Sequence, residues 1–228
     1  MQLNRAAFLA GSLAAGALLP KAAFAATGGE SEQSAPPERL LGQLMAGNKR
    51  FVDNDFPAMD RSATRRELLV DSQAPFAAIL GCADSRVIPN LIFVQGLGDL
   101  FVARVAGNFP DDLVTASLEY AVEHLGTRLV MVLGHQNCGA VKAVYSAIEH
   151  KSPLPPHLST IERLIAPGIE SVVAARGTLD AAIAANARAS VQVLKTTPPV
   201  LAENVKSGKV LVVGGIYELG SGKVRLLE

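Results

Sequence analysis

The 228 residues include no tryptophan, only two cysteines and no surplus of either charge, with 21 basic residues against 21 acidic ones. Without a basic tract or interleaved aromatic and basic residues, the chain lacks the electrostatic footprint of a nucleic-acid partner. Cys82 and Cys138 allow one disulfide at most. Charged residues make up 18% and hydrophobic ones 49%, a globular composition with no disorder signature beyond the N-terminal region. No apolar run there is long enough to span a bilayer: Ala6 to Leu19 is short, and Pro20 breaks it.

That run reads as an export signal. Arg5 supplies the positive region, and Ala23-Phe24-Ala25 gives a small-x-small cleavage site. Residues 1–25 are thus expected to be removed, leaving no stable membrane insertion and pointing to a bacterial periplasm. Cleavage also removes Arg5 and Lys21, leaving 19 basic against 21 acidic residues. Residues 26–36, rich in Gly, Ser, Glu and Pro, read as a flexible spacer. The remainder, 37–228, is sized for one domain with its own core.

Within it, Leu40, Leu41, Leu44, Met45 and Phe51 recur at helical spacing after Pro36-Pro37-Glu38, predicting an extended N-terminal helix. A short helix is expected over Ser62–Val70. Four continuous apolar runs follow, at 76–81, 100–103, 129–134 and 210–215, with a short final strand at 223–227. Such runs suit strands buried on both faces. Helical stretches at 112–125, 140–149 and 180–194 separate them. The alternation predicts an α/β fold: a central, mostly parallel sheet of four to five strands with helices on both faces. Pro153, Pro155 and Pro156 mark a loop, and Pro198-Pro199 starts another short helix.

Two polar segments follow buried runs directly, Cys82-Ala83-Asp84-Ser85-Arg86 and His135-Gln136-Asn137-Cys138-Gly139. Open α/β sheets bind ligands beyond the carboxyl ends of their strands, so Cys82, Asp84, His135 and Cys138 can converge there. Two thiolates and an imidazole favour tetrahedral zinc, and a fourth position left to water makes such a site catalytic. In an exported protein the competing reading of the two cysteines is a disulfide. Arg104 is expected to pair with Asp99 or Glu119, and Gln95, Gly96 and Gly98 to form a tight connection. His124, His150 and His157 read as surface histidines.

The segments 81–87 and 134–141 resemble the two signatures of the β-class carbonic anhydrases. The resemblance continues through 95–108, 117–122 and the C-terminal strand pair, covering roughly residues 38–228. It implies one zinc per subunit on Cys82, His135 and Cys138, with Asp84 and Arg86 as the catalytic pair. It also implies that Gln73, nine residues before the first cysteine, binds bicarbonate. Phe101, Ala106 and Tyr120 would line the pocket, and the Gly139 N–H would contact substrate. Asn90 and Val94 stand where relatives commonly carry Glu and Asp, which implies altered local packing. Relatives with an inhibitory bicarbonate site carry a tryptophan where this chain has Ile79, so regulation of that kind is not expected.

The activity so implied is reversible hydration of carbon dioxide to bicarbonate and a proton, by attack of zinc-bound hydroxide. Arg86 would hold Asp84 beside the metal; released, Asp84 would become a fourth ligand and close the site. Alternatives are a hydrolase of carbon disulfide or carbonyl sulfide, and a non-catalytic zinc protein. The resemblance further implies a homodimer or homotetramer, with the N-terminal helix laid over a neighbour.

Overall fold

A computed structural model describes residues 34–228; the expected leader and most of the expected spacer lie outside the described residues. The chain order is α1 (Pro37–Val52), α2 (Ala63–Leu68), β1 (Ala77–Cys82), α3 (Pro89–Ile92), β2 (Leu100–Val105), α4 (Asp112–Glu123) and β3 (Leu129–His135). Then come α5 (Gly139–His150), α6 (Leu158–Ala174), α7 (Leu179–Thr196), α8 (Val200–Lys206), β4 (Leu211–Tyr217) and β5 (Val224–Leu226). The five strands form one sheet in the order β2-β1-β3-β4-β5, parallel except for β5.

Strand periodicity splits the core into two layers. From β1, Ala78, Leu80 and Cys82 face one way, with Val130 and Val132 of β3, against a layer that includes Leu118, Val144, Ile165 and Leu194 from α4 to α7. Ala77 and Ile79, with Leu129, Met131 and Leu133, face Leu40 and Leu44 of α1, Ile92 of α3 and Val224 of β5. Every residue of β1 and β3 is buried, the reason neither strand alternates polar and apolar residues.

Asn48 ties the second layer together. Its side-chain nitrogen donates to Gly222 O at 2.8 Å and Ile92 O at 3.2 Å, and its oxygen accepts from Val224 N at 2.8 Å. The expected spacer ends inside the folded unit: Ala35 is fully buried, and Arg128 Nη1 donates to the carbonyls of Ser34 and Ala35 at 3.0 Å each.

One long element was absent from the sequence expectations. The 17-residue α6 runs straight through Pro167, although proline removes a helical donor. Gly168 beside it admits α7: a Cβ there would lie 2.8 Å from Ala189 Cβ. Pairing of Arg104 with Asp99 or Glu119 is also corrected, because Asp99 takes Arg65 at 3.1 Å and Arg104 turns to backbone carbonyls. Asn90 Nδ2 caps the 95–99 turn through Gly96 O at 3.1 Å, and Val94 holds the left-handed backbone at φ 49°. The expected surface histidines are all exposed.

Candidate metal centre

Cys82 is the last residue of β1 and His135 the last of β3, neighbouring parallel strands, so both reach the same carboxyl edge of the sheet. Cys138 follows three residues later as the N-cap of α5, after a turn made by Asn137 at φ 52°. All three are buried, and one donor atom from each lies within 4.8 Å of the others. Tetrahedral zinc, with bonds of about 2.3 Å to sulfur and about 2.0 Å to nitrogen, spaces its donors roughly 3.5–3.8 Å apart. The cluster therefore needs only a small contraction to hold the ion.

The histidine is already oriented for coordination. Its Nδ1 is 3.0 Å from Gln136 O, which accepts only if Nδ1 carries the proton, leaving a lone pair on Nε2. Nε2 is buried and has no hydrogen-bond partner. Among the described residues Arg50 Nε and Asn108 Nδ2 are also buried without a partner, but both are donors; His135 Nε2 alone is an acceptor beside two thiols. An orphaned acceptor in that company fits a metal.

Hydrogen bonding divides the thiols. The Cys138 S–H, with the adjacent His135 ring and the backbone N–H groups of Gly107 and Asp84, holds the Cys82 thiol down to about 4 against the opposing effect of burial. Gly107 N lies 3.3 Å from Cys82 Sγ. Cys138 is pushed up by its charged neighbour and by burial, so without a metal the pair shares one proton. The amides of Ala140 and Val141, in the first turn of α5, pull Cys138 the other way.

Asp84 and Arg86 stand at the rim. Arg86 Nε donates to Asp84 Oδ1 at 2.9 Å and Arg86 Nη2 to Oδ2 at 2.7 Å, a two-pronged pair, and the Arg86 N–H adds a third bond at 2.9 Å. Arg86 holds the carboxyl well below the usual carboxylate range. Oδ2 remains 3.9 Å from His135 Nε2, beside the donors and outside their set. Arg104 braces the loop from beneath, donating to Cys82 O at 2.8 Å and Asp84 O at 2.6 Å.

These features match one family over most of the chain. The carbonic anhydrase profile matches residues 77–224. The carbonic anhydrase of Mycolicibacterium smegmatis is 36% identical over 184 residues, 80% of this chain and 89% of that protein. Carbonic anhydrase 2 of Mycobacterium tuberculosis is 36% identical over 189 residues, 81% of this chain and 90% of its own. The solved Coccomyxa β-carbonic anhydrase in complex with acetazolamide superposes with a TM-score of 0.65 at 29% identity, covering 82% of this chain and 86% of that one. This chain belongs to the β-class carbonic anhydrase family. It is an enzyme of the carbonate dehydratase class, a lyase, on the sheet architecture expected of it.

Within one β-carbonic anhydrase chain, the remaining expected site residues fall into two groups. Ala106 follows β2 directly, one residue before the amide on Cys82, and Gly139 opens α5 with its backbone exposed. Both stand at the metal edge. Gln73 precedes β1 and shares a surface hollow with Tyr120, Val70, Leu97 and His124, where none of the metal donors appears. Phe101, near the start of β2, lies 6.4 Å ring to ring from Tyr120. The five steps of β1 put its two ends roughly 17 Å apart, so Gln73 and Tyr120 sit at the opposite edge from their own chain's metal cluster.

Proposed function

We propose that this β-carbonic anhydrase hydrates carbon dioxide reversibly to bicarbonate and a proton, with one zinc per subunit on Cys82, His135 and Cys138. The observation that carries the reading is the buried His135 Nε2, free of any hydrogen bond and within 4.8 Å of two thiols. Zinc bound there supplies a water acidified towards neutrality. Two thiolate ligands would neutralise more of the metal's positive charge than imidazoles, so neighbouring groups must assist. Asp84, kept ionised by Arg86, offers an oriented acceptor beside the donors, a hydrogen bond that fixes where the attacking lone pair points. The Gly139 amide and the apolar wall at Ala106 complete the near side. With its carboxylate turned to Arg86, Asp84 is drawn away from acting as a fourth ligand, which favours an open, catalytic site over a purely structural one.

Gln73, Phe101 and Tyr120 are proposed to serve the metal centre of a second copy, making the working unit a homodimer or a dimer of dimers. The support is geometric: they gather at the sheet edge remote from their own cluster, around exposed Val70 and Leu97. Export through residues 1–25 is part of the same proposal, and N-terminal sequencing of the mature protein tests it.

The decisive experiment is stopped-flow carbon dioxide hydration with metal analysis on the mature chain and on Cys138→Ser. The native protein should carry zinc and hydrate carbon dioxide, and the variant should lose both. Activity independent of zinc, or a Cys82–Cys138 disulfide in the native protein, would overturn the reading.

A further inference from the structure

Asn186 lies on the buried side of α7, only 2% exposed, among Ala182, Ile183, Ala187, Ser190, Val191 and Leu194. A buried amide on such a face costs free energy unless it is satisfied. Its Nδ2 donates to Gly107 O at 2.8 Å, a contact between residues 79 apart in sequence. The N–H of that same glycine donates to Cys82 Sγ at 3.3 Å. Asn186 thus stands one residue removed from the sulfur.

Any side chain at Gly107 would be strained. Its φ is +97°, and a Cβ would lie 2.6 Å from Ile165 Cδ1 and 3.3 Å from Ala140 Cβ. That same lack of a side chain leaves glycine the most rotationally free residue in the chain. Ile165 and Ala140 limit its room without fixing a direction. The 107–108 peptide is held from both sides, its N–H donating to Val105 O at 3.0 Å and its carbonyl accepting from the Asn186 amide, and through the shared Cα this steadies the 106–107 peptide whose N–H meets the sulfur.

We propose that Asn186 is a positioning residue of the metal centre, anchoring Gly107 so that its N–H stays aimed at the Cys82 sulfur. This rests on Cys82 being a metal ligand. Groups behind first ligands orient them, and their loss commonly lowers metal affinity about 10- to 100-fold. A purely structural role predicts a different result: replacing Asn186 would lower thermal stability and leave the metal's own parameters alone.

The test uses the full mature chain, unmodified and as Asn186→Leu, which keeps side-chain volume and removes the donor. Zinc affinity is read by competition with a chromogenic chelator. In parallel, cadmium-113 replaces zinc, and NMR reads the coupling between cadmium and the Gly107 amide proton across the N–H···S bond. The expected result is a resolved coupling at Gly107 in the unmodified protein, its weakening or loss in Asn186→Leu, and zinc affinity lower by about 10-fold. A folded variant with unchanged affinity and coupling, whatever its melting temperature, overturns the inference alone. If the variant does not fold, absence of the Gly107 coupling in the unmodified chain overturns it, and presence supports it. Failure of the unmodified chain to bind metal through its cysteines overturns the reading of the centre as well.

Discussion

At the scale of single residues, the proposed function makes the Asp84–Arg86 pair a device for orientation. Its two guanidinium bonds suit arginine's planar fork, which lysine lacks. Arg86→Ala leaves Asp84 only the backbone bond from residue 86, so the carboxylate is no longer aimed. Hydration should fall about 100-fold with zinc retained, and Arg86→Lys should recover only part of it; stopped-flow rates paired with metal analysis check both. The thiols make a second prediction. With Cys82 held near 4 and Cys138 raised, the metal-free pair keeps one proton at neutral pH. Zinc uptake at pH 6, below the range in which a metal-bound water ionises, should then release about one proton per site, as followed with an indicator in weak buffer; a release of two would show that Cys82 is not ionised beforehand. Cys82, His135 and Cys138 were legible in the sequence because each follows a buried apolar run that ends at the binding edge. Arg104, Gly107 and Asn186 were not. They act through backbone groups as many as 79 residues away, and no local pattern marks a residue whose partner is a carbonyl.

At the scale of elements, β1 and β3 were readable because burial on both faces leaves uninterrupted apolar runs, whereas the apolar run of β2, expected to be buried likewise, lies at the sheet edge and is only partly covered. Helix α6 was missed because Pro167-Gly168 looks like punctuation, whereas the glycine serves a close helix crossing that only tertiary structure reveals. Asn48 belongs to this scale, because its three bonds join α1 to α3 and to the β4–β5 hairpin. Asn48→Ala strands two carbonyls and one amide in the core. At about 1 kcal/mol for each lost bond, it should cost roughly 2–4 kcal/mol, measured as a shift in the denaturant midpoint. A loss under about 0.5 kcal/mol, the range of an ordinary surface substitution, would show that these bonds do not hold the hairpin.

At the scale of the whole molecule, the apolar surface matters as much as the core. Val70 is 77% exposed and Leu68 70%, close to the hollow that holds Gln73 and Tyr120. If a second copy covers this edge, light scattering should give at least twice the chain mass. Val70→Asp should then shift the protein towards monomer and depress hydration while zinc content stays full. A fully active monomer would remove Gln73 and Tyr120 from the site.

The sheet order carries one more consequence, for the timing of folding. Cys82 and Cys138 are 56 residues apart, and β2 and α4 must leave and return before β3 can lie against β1. Contacts this distant in sequence form slowly, because the chain entropy of closing the loop is lost before the contact is gained. A nascent chain therefore presents its sulfurs long before it presents a coordination sphere, and tight cation capture marks the moment its central strand pair locks.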